Sequence, residues 1–188
     1  MLLYVFGCHG YAHTAAGVDC IKRTSPSGGG LHPIEAYPIV SNVDGVDPGV
    51  YHYNVGDHSL ELLSRLQAEE ARELATTFMC GQSYFGTAAV SFVMTARFYR
   101  NHWKYRRHQK AYAGILMDAA HLSQTLYLVG ADLDLGAYVT IAINSHEIEA
   151  SLGLDGVGEG VMAISGCGPR GPDASPLELS FRPWSPPR

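Results

Sequence analysis

Across residues 106–129 the apolar side chains Tyr112, Ile115, Leu116, Ala119, Leu122, Leu126 and Val129 step by three and four. That spacing keeps them on one face of an α-helix. The positions between them are largely Ala, Gly, Ser and Met, so the helix offers water little polar surface. A helix apolar nearly all round must be covered on more than one side. The stretch therefore predicts a central helix, or one packed on a second subunit, with small residues permitting close approach.

The segments around it read mainly as strands. Residues 34–43 are apolar with strand formers and lead into the turn signals Asp44-Gly45 and Asp47-Pro48-Gly49. Residues 50–53 and 60–66 predict a hairpin reversed by the glycine and aspartate between them. Residues 67–80 predict a helix with acids in its first turn, where the helix dipole favours them. The continuous apolar run 88–96 suits an interior strand covered on both faces. Residues 135–143 read as loop and strand, 145–152 as a helix capped by Asn144 or Ser145, and 161–165 as a last core strand. Prolines then crowd the chain, so residues 171–188 are expected to form an extended arm. Residues 2–6 resemble the end of a buried element, an expectation that the chain opens late. Strands and helices without a repeating βαβ unit predict one α+β domain over residues 1–188.

Composition narrows the function classes. The chain has 188 residues, 46% of them hydrophobic, enough for one substantial core, while a net charge of -5 gives no global pull toward nucleic acid. Cys8, Cys20, Cys80 and Cys167 form no CxxC pair and have no histidine at metal-ligand spacing, which predicts reduced thiols, no metal and a cytoplasmic protein. No apolar run approaches the roughly 20 residues of a membrane span, and the opening lacks the basic start of a secretion signal.

Three motifs carry possible chemistry. Gly166, Gly168 and Gly171 match GxGxxG after a strand, but Pro169, Pro172 and Pro176 forbid the helix that a dinucleotide fingerprint must open. KRTSPSGGGLHP, residues 22–33, lacks the Lys-Ser/Thr of a P-loop; it is either a flexible linker or the cradle of an anionic cofactor, with glycine amides, Ser25, Ser27 and Arg23 as donors. RFYRNHWKYRRHQK, residues 97–110, holds six of the thirteen Lys and Arg of an otherwise acidic chain. It reads as a solvated helical face, as aromatic and basic residues for nucleic acid, or as a site where Arg100, Arg106 and Arg107 destabilise the Lys104 ammonium and make it a usable base. His32 and His121 are expected to be incidental and structural, respectively.

RTSPSGGGLHPIEAYPIV followed by PGVYHYNVGDHSLELL resembles the opening signature of the SagB/McbC-type dehydrogenases, azoline oxidases of the flavin-dependent nitroreductase superfamily. The Lys104-Tyr105 pair before a long helix and the GADLDLG, SLGLD and GVMAISG segments are similar in order and spacing. The resemblance implies a nitroreductase-like fold, a mostly antiparallel sheet flanked by helices, with FMN at a homodimer interface. It further implies a precursor peptide whose thiazoline or oxazoline rings are oxidised to azoles, and a cyclodehydratase as possible partner.

Carried onto this sequence, the resemblance places Arg23, Ser25, Ser27, Gly28 and Gly29 along the flavin. It sets Thr140 and Ile141 at the flavin's reactive edge, Lys104 and Tyr105 as the catalytic pair, and Arg170 near the phosphate. The superfamily opens with a phosphate-binding Arg-Ser-x-Arg helix that this chain does not contain. That departure keeps open a flavin-deficient docking module, and a generic FMN reductase of nitroaromatics or quinones is the nearer alternative. Adjacent residues on a helix diverge by about 100°, so a shared role for Lys104 and Tyr105 predicts a helix break or start within residues 104–107.

Overall fold

A computed structural model describes residues 1–170 except 16 and 18. The expected proline-rich arm, residues 171–188, lies outside the described residues. Six strands form one antiparallel sheet: β3 (Ile34–Val40), β4 (Gly49–Asn54), β5 (Ser59–Arg65), β6 (Val90–Arg97), β7 (Leu135–Thr140) and β8 (Glu159–Pro169). Their order is β5-β4-β3-β6-β8-β7. A separate hairpin, β1 (Gly10–His13) with β2 (Asp19–Lys22), leads into the glycine-rich loop.

The strand period of two explains how this sheet is covered. All seven residues of β3 are buried. Ile34, Ala36 and Val40 point into a core shared with Phe92, Met94, α1 (Leu2–Phe6) and α4 (Ala111–Asp132), whereas Tyr37 and Ile39 join α2 (Ala68–Phe78) and α5 (Ser145–Leu152) on the other face. Each helix has a local reason for its start or end. At α2 the Gln67 side chain and Glu70 form a reciprocal capping box. At α5 the Asn144 side chain accepts the Glu147 amide and Gly153, at φ 68°, turns the chain out of the helix.

The predicted α+β architecture of a mostly antiparallel sheet flanked by helices is observed; every strand pair described is antiparallel. Two boundaries near the site differ from the sequence reading. The long helix begins at Ala111 and not in the arginine stretch, whose first half folds as a separate helix, α3 (Phe98–Tyr105). The last strand runs on through Gly166 and Gly168, because β7 pairs with it from Leu135↔Pro169 to Thr140↔Ile164. The GxGxxG glycines thus lie largely in a sheet. Among the described residues, no helix is long and apolar enough to cross a membrane, and no group of three or more His, Cys, Asp or Glu is placed to hold a metal ion.

Candidate functional site

The glycine-rich loop is an ordered structure fastened to α4. Ser25, buried, shares a 2.6 Å hydrogen bond with the Thr125 hydroxyl. Asp118, 4% exposed, accepts the Ser27 hydroxyl at 2.5 Å and the Gly28 amide at 3.0 Å. The Ser27 oxygen accepts the His32 amide at 2.9 Å, and His121 Nδ1 lies 3.2 Å from the Pro26 carbonyl. The sequence suggested that Ser25, Ser27 and Gly28 offer their donors to a ligand. In the structure those donors are spent on α4, and the residues frame the loop from below.

The outer surface of the loop is Gly29, with φ 68°. Its carbonyl accepts Lys104 Nζ at 3.3 Å, and a Cβ added at Gly29 would lie 2.8 Å from that nitrogen and clash with the Tyr105 hydroxyl. Glycine suits the left-handed backbone here, and a Cβ would push the Lys104 and Tyr105 side-chain ends out of their present positions. Helix α3 ends at Tyr105, so a break falls within residues 104–107, although Lys104 and Tyr105 themselves close the helix; Lys104 reaches the Gly29 carbonyl and the Tyr105 hydroxyl lies beside the Gly29 Cα. Lys104 Nζ stands 5.6 Å from the Tyr105 ring centroid. Arg106 turns its guanidinium to the Trp103 carbonyl, and Arg100 is held by Glu35 at 2.6 Å and by the His32 carbonyl at 3.0 Å.

Arg23 borders the loop beside Ser25, Pro26 and Ser27 and also faces away from it. It lines a cavity with Glu35, His52, Arg97 and Arg100, an ionic cluster that sequence reasoning missed. Glu35 is 6% exposed, bonded to His52 Nε2 at 3.0 Å, and its carboxyl is the meeting point of Arg97 and Arg100. Burial pushes the Glu35 carboxyl up, but the His52 hydrogen bond and the two arginines outweigh it and hold it below its ordinary value. Glu159 completes the network, accepting the Tyr37 hydroxyl at 3.0 Å, the Thr95 hydroxyl at 2.5 Å and Arg97 Nε at 3.1 Å.

Thr140 and Ile141 lie at the end of β7, with Ile141 80% exposed. The Gln82 side chain fixes this segment by donating to the Ala142 carbonyl at 3.0 Å and to the Met79 carbonyl at 2.8 Å. Beside it Leu116, Tyr127 and Val139 border an apolar groove between α4 and the sheet. Arg170 is not brought to the loop. It sits 3.9 Å from Asp134, just past the far end of β8, whereas the loop enters the sheet where β8 begins. The nine residue-to-residue steps from Gly160 to Pro169 correspond to roughly 30 Å of strand.

These residues fit a flavin in part. Gly29, Lys104 and Tyr105 present a polar edge, and Val139 and Ile141 supply an exposed apolar surface, whereas the donors of Ser25, Ser27 and Gly28 are already engaged.

Comparison with known proteins bears on the fold and the family. The chain is 28% identical over 144 residues to the trifolitoxin-processing protein TfxB of Rhizobium leguminosarum bv. trifolii, and 30% identical over 130 residues to MJ1384 of Methanocaldococcus jannaschii. Those alignments take in 76% and 69% of this chain but only 38% and 63% of the relatives, so the chain spans about half the length of the curated proteins it matches. Among solved structures, a candidate nitroreductase of Anabaena variabilis superposes with a TM-score of 0.77 at 24% identity, over 88% of this chain and 33% of that one. The E. coli microcin synthetase McbBCD complex with truncated pro-MccB17 bound gives 0.70 at 22%, over 89% and 60%. At these identities the likeness is one of fold. Residues 11–168 match the Nitroreductase family, a span that holds the six-stranded sheet, the glycine-rich loop and the Lys104-Tyr105 pair, and the chain belongs to that family.

Proposed function

We propose that this nitroreductase-family chain is an FMN-dependent oxidoreductase that dehydrogenates thiazoline or oxazoline rings in a ribosomally made peptide. The observation that carries the reading is the packing of Lys104 and Tyr105 against Gly29, with Lys104 Nζ on the Gly29 carbonyl across 75 positions of sequence. Support for a peptide substrate comes from the relatives: one is named for trifolitoxin processing, and one solved neighbour is a microcin synthetase with a peptide bound. A cyclodehydratase partner follows from the same chemistry, since a ring must be closed before it can be oxidised.

Oxidising an azoline removes a proton from a ring carbon and a hydride. In this scheme Lys104 takes the carbon proton and Tyr105 orients the ring beside it, a step of general base catalysis worth about 10²–10⁴-fold. Bound FMN supplies the acceptor for the hydride. Gly29, Thr140 and Ile141 would face the flavin, Ser25, Ser27 and Gly28 hold the loop in shape beneath it, and a second copy of the chain covers the apolar face of α4 and β7.

Absorption spectroscopy of the purified protein with added FMN tests the reading, followed by an azoline-peptide oxidation assay. Flavin bands together with azole formation support it. A protein that binds no FMN fits the docking module instead, and one that reduces nitroaromatics or quinones but leaves azolines intact fits the generic reductase.

A further inference from the structure

Between the β1–β2 hairpin, the end of β4 and the start of α3 lies a cavity of about 410 Å³. Three guanidinium groups, Arg23, Arg97 and Arg100, line it against one carboxylate, Glu35, with His52 beside them. Glu35 is fully committed: Oε1 meets Arg100 at 2.6 Å and Arg97 at 3.6 Å, and Oε2 meets His52 at 3.0 Å. Arg97 has a second partner in Glu159, and Arg100 a second in the His32 carbonyl.

Arg23 is the member left over. It forms no ion pair with any described residue, and its Nε is buried without a hydrogen-bond partner. Burial pulls its pKa below the ordinary arginine value; Glu35 opposes that effect and Arg100 adds to it. A buried, unpaired guanidinium N–H is costly, and a planar fork of donors is matched by a carboxylate or phosphate group.

We infer that this cavity binds a compact oxyanion, the carboxylate or phosphate of a larger molecule, with Arg23 as its principal contact. Arg100 and Lys104 lie four residues apart on α3, a spacing that places Cβ atoms about 5–6 Å apart on one helix face. A molecule anchored here therefore reaches the Lys104 site. That last point rests on the proposed function; the oxyanion site itself does not.

The test uses the full chain labelled with nitrogen-15 and follows the arginine Nε–Hε signals by NMR while inorganic phosphate, then acetate, is added. The Arg23 signal is expected to shift saturably with at least one of the two. Arg23→Gln should weaken binding at least about tenfold, and Arg23→Lys should weaken it less, with the amide spectrum of each variant confirming the fold. An unmoved Arg23 signal with both anions, or equal affinity in Arg23→Gln, overturns the inference. Because the wild-type signal is read directly, a misfolded variant does not decide the matter, and a protein that fails to bind flavin still tests the site. Two competitions identify the source: displacement of the bound anion by FMN but not riboflavin marks a flavin phosphate, and displacement by a glutamate-containing peptide but not its glutamine form marks a peptide carboxylate.

Discussion

Asp118 takes the Ser27 hydroxyl on one carboxylate oxygen and the Gly28 amide on the other, tying the glycine-rich loop to the long helix across some 90 residues of chain. Both donors lie at a poorly solvated site, so removing the acceptor leaves them unpaired. Asp118→Ala is expected to cost about 1.5–3 kcal/mol in urea unfolding, in the range for hydrogen bonds to charged groups. Asp118→Asn, which keeps one acceptor, should lose less. Equal stability of Asp118→Ala and wild type would show that the loop holds itself.

Gly29 and Gly30 provide a paired test of the close approach. Both have φ 68°, but a Cβ at Gly30 meets nothing within 4 Å, whereas one at Gly29 meets Lys104 and Tyr105. Each alanine substitution should cost about 1–2 kcal/mol for the left-handed backbone. Only Gly29→Ala should also abolish azoline oxidation, measured at matched folded concentration. Equal activity losses would indicate that the backbone conformation alone matters.

Stability should vary with pH through His52 and Glu35. His52 is buried enough for desolvation to lower its pKa, yet hydrogen bonds to Glu61 and Glu35 overcome this and raise it above its ordinary 6.5. Its contribution is therefore full below pH 6.5 and is lost as pH rises through the higher folded value. Glu35, held below its ordinary 4.5, contributes fully above that pH and loses its contribution as pH falls through the lower folded value. Melting temperature should thus be highest between those two values. His52→Gln should lower that plateau and flatten the decline on the alkaline side; an unchanged alkaline slope in the variant would contradict the assignment.

The apolar face of α4 and β7 predicts self-association. Ile141 is 80% exposed, and the exposed Leu116, Tyr127 and Val139 line the same groove. Sedimentation velocity should show a dimer for the wild type and a shift toward monomer for Ile141→Glu, since a buried unpaired carboxylate opposes association. A wild type that sediments as a monomer would contradict a homodimeric site.

Local periodicity explains which elements were legible in the sequence. The three-and-four spacing of Ile115, Ala119, Leu122 and Leu126 marks α4, and all four are buried. Residues 10–13 and 19–22 gave no comparable signal, because each strand is only four residues long and largely outside the core. The extension of β8 through Gly166–Pro169 depends on its partner β7, which no local rule supplies. At the site, Lys104 and Tyr105 stood out as neighbours in a basic stretch, but the division of that stretch did not: Arg97 and Arg100 turn to Glu35 while Lys104 turns to Gly29. Asp118 had one usable signal: it is the lone charged side chain between Ala111 and Ala131, histidine aside. Its partners, 90 and 91 residues away, become apparent only in the fold.

Azole formation by the Lys104→Ala variant at saturating FMN decides whether Lys104 is the base of an azoline dehydrogenation. If Lys104 is that base, the flavin spectrum is unchanged and turnover falls by about 10²–10⁴-fold. Full activity in that variant would contradict that role.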